Sequence, residues 1–171
     1  ARMLDSAMAG MGSLILIAAV VAAFIMTFVV WIIWAGAFFL ISKLFKGTGS
    51  FSRCLEVVGY GYVPLVIGSV ITLIVAMEYL PKVVVPTLTS AALTNPQQIE
   101  AATTALINDP AMVEFTQISA VISMVFLLWS ANTWIFGIKQ ARNIPMRDAA
   151  ICVGIPVILL IIYQLYKLAG M

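Results

Sequence analysis

Long uncharged stretches alternate with short polar ones along the chain. The longest runs from Leu14 to Ser42, 29 residues without a charged side chain. As a helix rising 1.5 Å per residue it would reach about 44 Å, against a hydrocarbon core of about 30 Å. One tilted or protruding helix fits this run better than a re-entrant pair, because it holds no Pro or Gly-Asn turn signal. It is too long for a signal-peptide core, and no small-residue cleavage site follows it. A second apolar stretch runs from Cys54 to about Leu80, holds Pro64 and is bounded by Pro81. The 14 residues from Pro64 to Met77 would make about 21 Å of helix, too short to cross a bilayer. The segment Cys54 to Gly61 therefore either joins that span or lies as a separate helix at the interface. Gly59, Gly61 and Pro64 predict a kink or break near Gly61.

Residues 81–114 form the one long polar connection. Within it Asn95-Pro96 reads as an N-cap followed by Pro at the first helical position, opening a short helix to about Ile107. Asp109-Pro110 repeats the signal and opens a third long helix, apolar from Phe115 to Ile138. A basic loop follows from Lys139, and the last span, interrupted by Gly154 and Pro156, ends at Leu168. The predicted fold is an all-α polytopic membrane helix bundle. It has four spans, at about 14–42, 54–80, 110–138 and 149–168, plus a short helix in the long outer connection. Residues 1–171 are expected to form a single membrane domain.

Composition agrees with this pattern. Apolar residues make up 63% of the chain and charged residues 9%, against about 45–50% and about 25% in soluble domains. Such a chain cannot cover a water-facing surface. This excludes an ordinary cytosolic enzyme, a disordered chain and a nucleic-acid-binding domain, and makes the lipid bilayer the first partner. The net charge of +2 steers the protein to no particular partner. Charge placement says more. Loop 43–53 carries Lys43, Lys46 and Arg53, and segment 139–149 carries Lys139, Arg142 and Arg147 against Asp148. The connection 78–114 is acidic, with Glu78, Glu100, Asp109 and Glu114 against Lys82. Lys and Arg accumulate on the cytoplasmic side. Both basic loops, 43–53 and 139–149, are therefore expected in the cytoplasm, and the long connection and both termini on the other side.

Catalytic signals are missing. The chain has no histidine, the commonest general base and metal ligand. Cys54 and Cys152 are too far apart in sequence for a zinc or redox motif. Gly47-Thr48-Gly49-Ser50 lacks the spacing and lysine of a phosphate-binding loop, and no Gly-x-Ser-x-Gly elbow occurs. No cofactor, metal or catalytic residue is assigned.

Some residues carry a family resemblance. Gly47-Thr48-Gly49-Ser50-Phe51, then Cys54-Leu55, then Val58-Gly59-Tyr60-Gly61-Tyr62-Val63-Pro64, resembles the Yip-one domain family. There a basic, glycine-bearing loop precedes a Gly-Tyr and Pro element entering a membrane helix. The segment from Trp129, ending in Gly137-Ile138-Lys139-Gln140-Ala141-Arg142-Asn143-Ile144-Pro145, resembles that family's short turn before its final span. The resemblance covers roughly residues 14–170. It implies a polytopic protein usually counted with five spans. Eukaryotic members sit in Golgi and endoplasmic reticulum membranes with Rab-type GTPases, and prokaryotic members have no settled activity. This chain shows four spans and opens at Ala1, so the resemblance implies that the first of five lies upstream. It carries no polar N-terminal tail to support Rab binding, and the resemblance implies a prokaryotic member in the plasma membrane.

Two readings attach to each candidate functional residue. Arg53 and Glu56 are three apart and can face each other on a helix, as an interfacial ion pair or with Glu56 as a proton- or substrate-binding carboxylate. Gly59, Tyr60, Gly61, Tyr62 and Pro64 make either a packed kink or a broken-helix site. Asn132, with Ser130 and Thr133, reads as hydrogen-bonding glue between helices. Cys54 and Cys152 fall near the cytoplasmic face, where palmitoylation rests on position alone. Lys139 and Arg142, with Arg53, mark a basic rim that can meet anionic headgroups or protein partners. Small residues such as Ala35, Gly36 and Gly68 can support close helix contacts within a chain or in a homo-oligomer.

Two functions follow. The first is a non-enzymatic membrane protein of the Yip-one type that interacts with or organises partners at its cytoplasmic face, near Arg53 and Arg142. The second is a small transporter or channel subunit using the broken helices at Gly59–Pro64 and Gly154–Pro156. A polar cavity lined by Glu56, Tyr60 or Asn132 would favour transport, and a dry core with a basic rim would favour partner binding.

Overall fold

The computed structural model describes residues 2–84 and 95–170, with side chains at residue 14 and from residue 17 onward within the first helix. The middle of the long connection, 85–94, lies outside the described residues. The described chain is helical and multi-pass. Its helices are α1 (Arg2–Leu44), α2 (Phe51–Tyr79), α3 (Pro96–Ile107), α4 (Pro110–Arg142) and α5 (Met146–Ala169), with a 3-10 turn at Leu80–Lys82. Four of them are long and apolar enough to cross a membrane, over Ile17–Leu44, Phe51–Lys82, Pro110–Arg142 and Met146–Ala169.

Local chemistry sets most helix starts. Ser50 Oγ accepts from the Arg53 amide at 3.4 Å. Asn95 Oδ1 accepts from the Gln97 amide at 3.0 Å. Asp109 Oδ1 accepts from the amides of Ala111 at 2.9 Å and Met112 at 3.3 Å. These are N-cap bonds that satisfy otherwise orphaned donors, with Pro96 and Pro110 at positions that need no amide hydrogen. Asn143 ends α4 in the left-handed conformation, φ 52°, which Asn tolerates better than most residues.

Three expectations are corrected here. The element Gly59–Pro64 does not break its helix, because α2 runs without interruption from Phe51 to Tyr79. The segment Cys54–Gly61 is thus part of the span. Gly154 and Pro156 likewise lie inside a continuous α5. The basic segment from Lys139 is mostly not a loop: α4 continues to Arg142, and α5 starts at Met146.

The helices pack unequally. The α2–α4 pair is the most extensive, followed by α4–α5. The core gathers Phe38 of α1, Cys54 and Val58 of α2, Trp134 and Ile138 of α4, and Cys152 and Val153 of α5, all fully buried. All of them lie in the half of the bundle next to the basic loops. Among the described residues, helix α1 joins the core from Trp31 onward. Residues 17–30 are exposed on every side, a surface of Val, Ile, Phe and Ala suited to acyl chains. The multi-pass, lipid-embedded character thus rests on both composition and the placement of apolar surface.

Glycines set the α2–α4 distance. A Cβ on Gly61 would overlap the Trp134 indole, and one on Gly137 would overlap Val57. A Cβ on Gly68 would lie 2.8 Å from the Phe126 ring. Large side chains of one helix sit in slots that glycines leave in the other, the small-residue packing that membrane helices use in place of a hydrophobic driving force. Gly68 and the buried Ala35 serve contacts within this chain, while nothing lies within 4 Å of a Cβ on Gly36.

Candidate functional site

The polar residues at the basic end form one constellation around Arg142. The side chain is 2% exposed. Its Nε donates to Ser42 Oγ at 2.8 Å, Nη2 to the Gly47 carbonyl at 2.6 Å, and Nη1 to the Gly49 carbonyl. The guanidinium also lies over the Phe39 ring, 4.3 Å from its centroid. Ser42 in turn donates to the Phe39 carbonyl at 2.7 Å. Backbone adds to the clasp: the Thr48 amide donates to the Arg142 carbonyl at 2.9 Å. Asn143 Nδ2 donates to Thr48 Oγ1 at 3.3 Å.

Among the described residues, no carboxylate pairs with this buried cation. Its charge is met by oxygen dipoles. Arg142 sits where the C-terminal ends of α1 and α4 converge, and each helix end carries partial negative charge on its free carbonyls. The planar fork of arginine spreads its donors over three nitrogens and so reaches three well-separated acceptors, whereas the donors of lysine all sit on one nitrogen. Glycine is required on the receiving side. Gly49 has φ 109°, and a Cβ there would overlap the Ala141 carbonyl. A Cβ on Gly47 would lie 2.9 Å from the Ser42 carbonyl and 3.2 Å from Arg142 Nε. The motif Gly47-Thr48-Gly49 thus presents bare backbone to a single side chain. Arg142 is not a free member of the basic rim. The expectation that it offers a contact surface is corrected, because it is spent on locking loop 45–50 to the end of α4. Lys43, Lys46, Arg53 and Arg147 remain exposed around the lock, and Lys139 is half-buried.

A second polar feature lies one layer deeper. Trp31 Nε1 donates to the Leu55 carbonyl at 2.9 Å, and Trp134 Nε1 to the Val58 carbonyl at 3.0 Å. A backbone carbonyl has a second lone pair left after its helical bond. Gly61 follows Val58 by three residues, and a Cβ there would overlap the indole that reaches the Val58 carbonyl, whereas a Cβ on Gly59 would only touch Trp31, 3.7 Å away. Trp134 also stacks on Trp34 with centroids 5.2 Å apart and meets Tyr62 edge-on at 5.9 Å. Gly59, Gly61 and Tyr62 are therefore brought together around two tryptophans from α1 and α4. Pro64 is buried on the same helix.

The other candidates lie elsewhere. Tyr60 is 66% exposed, and Glu56 and Asn132 are also exposed, on the outside of the bundle. They line no internal path. Arg53 and Glu56 do not pair; among the described residues the ion pair is Lys82–Glu78 at 3.4 Å. Asn132 makes no interhelical bond among the described residues, and Thr133 donates to the Trp129 carbonyl of its own helix at 3.3 Å. The expected glue between helices comes from the two indoles instead. Cys54 and Cys152 are fully buried in the core, not displayed at the surface.

Sequence reasoning missed Ser42, Trp31 as a donor, and the inward turn of Arg142. The signal for the last was available in the two glycines flanking Thr48 in a loop too short to cover its own carbonyls.

The comparisons with known proteins bear on this constellation. An uncharacterized protein of the archaeon Methanocaldococcus jannaschii is 45% identical over 60 residues, which is 35% of this chain and 43% of that protein. The chain thus spans less than half of the relative it matches. No solved structure matches. The Yip1 domain matches residues 2–167, nearly the whole of the bundle and both loops of the Arg142 lock, and the chain belongs to the Yip1 domain family of membrane proteins.

Proposed function

We propose that this protein is a non-enzymatic organiser of membrane partners, and that its basic end is a docking platform for acidic protein surfaces. The Arg142 lock carries the reading. By tying loop 45–50 to the end of α4, it holds the exposed Lys43, Lys46, Arg53 and Arg147 on one stiff frame. A surface whose charges are pre-positioned loses less entropy on binding than one whose loops must be ordered. The platform faces the cytoplasm on the positive-inside rule, and the archaeal relative supports a prokaryotic plasma membrane. The polar cluster around Arg142 fits this reading, since its hydrogen bonds hold loop backbone in place.

The test is site-specific photocross-linking from Ser52 in native membranes. It compares wild type with a variant carrying Gln at positions 43, 46, 53 and 147. Arg142 is left intact so that the frame survives. Loss of defined cross-linked partners in the variant is the expected result, and an unchanged cross-linking pattern overturns the platform.

A further inference from the structure

The end of the bundle opposite the basic loops is built differently. There the core gives way to a cavity of about 280 Å³ between α4 and α5, lined by Thr116, Ser119, Ser123, Gln164, Lys167 and Leu168. A neighbouring cavity of about 360 Å³ on the α2 side shares Ser119 and Ser123. Most hydroxyls in these helices donate to a carbonyl of their own helix: Thr116 to Met112 at 2.8 Å, Thr72 to Gly68 at 3.0 Å, Ser69 to Val66 at 2.7 Å. Ser119 does not. Its Oγ and the Oε1 of Gln164 are buried atoms without a hydrogen-bond partner among the described residues. Gln164 is fixed from its other side, Nε2 donating to Ser123 Oγ at 3.4 Å. The cavity wall thus offers an unused hydroxyl donor, an unused amide acceptor and, at its rim, the exposed ammonium of Lys167.

Depth constrains what fits. Gln164 lies eighteen residues after Met146 on α5, about 27 Å along the axis, close to the far boundary of a hydrocarbon core about 30 Å thick. The cavity is below the 300–1,000 Å³ typical of sites that enclose a whole ligand. A headgroup fits while its chains stay in the bilayer. From this geometry we infer a binding pocket for the headgroup of an anionic phospholipid that carries a hydroxyl beside its phosphate. The phosphate meets Lys167 and the Ser119 hydroxyl. The ligand hydroxyl donates to Gln164 Oε1, an amide oxygen in the wall that no donor among the described residues satisfies. A choline headgroup supplies no donor and no net charge, so the pocket discriminates against it. The platform at the basic end plays no part in this assignment.

The test is native mass spectrometry of the purified, delipidated full chain, titrated with phosphatidylglycerol or phosphatidylcholine. Phosphatidylglycerol should bind at least about tenfold more tightly. Gln164→Leu and Lys167→Met should each weaken it by about tenfold, the scale of one lost charge-assisted or buried hydrogen bond. Asn132→Ala, on the exposed side of α4, should leave it unchanged. Gln164→Leu replaces the side chain by an apolar one of similar size and gives up only the long Nε2–Ser123 bond at 3.4 Å, so it should keep the fold; Ser119→Ala, which removes one atom, provides a second probe with the same expected direction. Equal retention of the two lipids, or full preference in the variants, overturns the pocket. Displacement of the lipid by millimolar glycerol phosphate overturns the lipid assignment in favour of a soluble polyol phosphate.

Discussion

The Trp134 indole fills the space that a side chain at position 61 would occupy, so that Gly61 and Trp134 are two halves of one contact between α2 and α4. The ring is fully buried, and its Nε1 reaches past the bare Gly61 to the Val58 carbonyl at 3.0 Å. Gly61→Ala would drive a methyl into a rigid aromatic ring that packs against Trp34, Phe38 and Tyr62. Overpacking of this kind costs about 1–3 kcal/mol, and a ring that cannot move puts it toward the upper end. Thermal unfolding in detergent micelles should show that loss, with Trp134 fluorescence shifted to longer wavelength. A melting temperature equal to wild type would mean the slot is not filled as described.

Two other glycines supply the contrast. A Cβ on Gly59 would sit 3.7 Å from Trp31, an ordinary contact, and one on Gly154 would meet nothing within 4 Å. Both positions are in continuous helices. Gly→Ala in a helix interior without a clash is favourable by about 0.5–1 kcal/mol. Gly59→Ala and Gly154→Ala should therefore be neutral to stabilising in the same melt. Strong destabilisation at Gly154 would show that α5 needs its flexibility, which would revive the idea of a moving helix there.

The helix starts were legible in the sequence because capping is local. Asn95-Pro96 and Asp109-Pro110 announce α3 and α4 within a residue, and the predicted end at Ile107 holds. The role of Gly61 was not legible, because the partner Trp134 lies 76 residues from Val58 in sequence. Without it a Gly-x-Gly followed by Pro reads as a break; with it Gly61 is a slot in an intact helix. Arg142 fails to declare itself for a similar reason. A basic residue at the end of a span looks alike whether it faces water or the carbonyls of a distant loop, and only the return of α4 beside α1 decides between them.

Arg142 gives the third prediction. Arg142→Lys keeps the charge but cannot serve Ser42, Gly47 and Gly49 together, so it leaves the half-buried Gly47 carbonyl or the exposed Gly49 carbonyl without its guanidinium partner. A hydrogen bond to a charged group contributes about 1.5–3 kcal/mol, and solvent access to the loop carbonyls puts the loss toward about 1–2 kcal/mol. The local readout is the Thr48 amide, which donates to the Arg142 carbonyl. Its hydrogen exchange should quicken in Arg142→Lys and in Gly49→Ala, where the φ of 109° is strained for alanine. Exchange at the core of α4 should change less. If the Thr48 amide exchanges as fast in the wild type as in a free peptide, the loops are not locked.

The buried thiols make the orientation testable without a cysteine-free background. Cys54 and Cys152 are both 0% exposed in the packed core, and a thiol without solvent access does not react at a useful rate. The native protein should thus resist a maleimide until it is denatured in SDS. Two exposed positions can then report sides of the membrane: Ser52 beside the basic loop and Glu100 on α3. With basic loops held in the cytoplasm, an impermeant maleimide should label Glu100→Cys in intact cells and Ser52→Cys only after permeabilisation. The reverse pattern would invert the bundle. It would also place the Lys43, Lys46, Arg53 and Arg147 platform where no cytoplasmic partner can reach it.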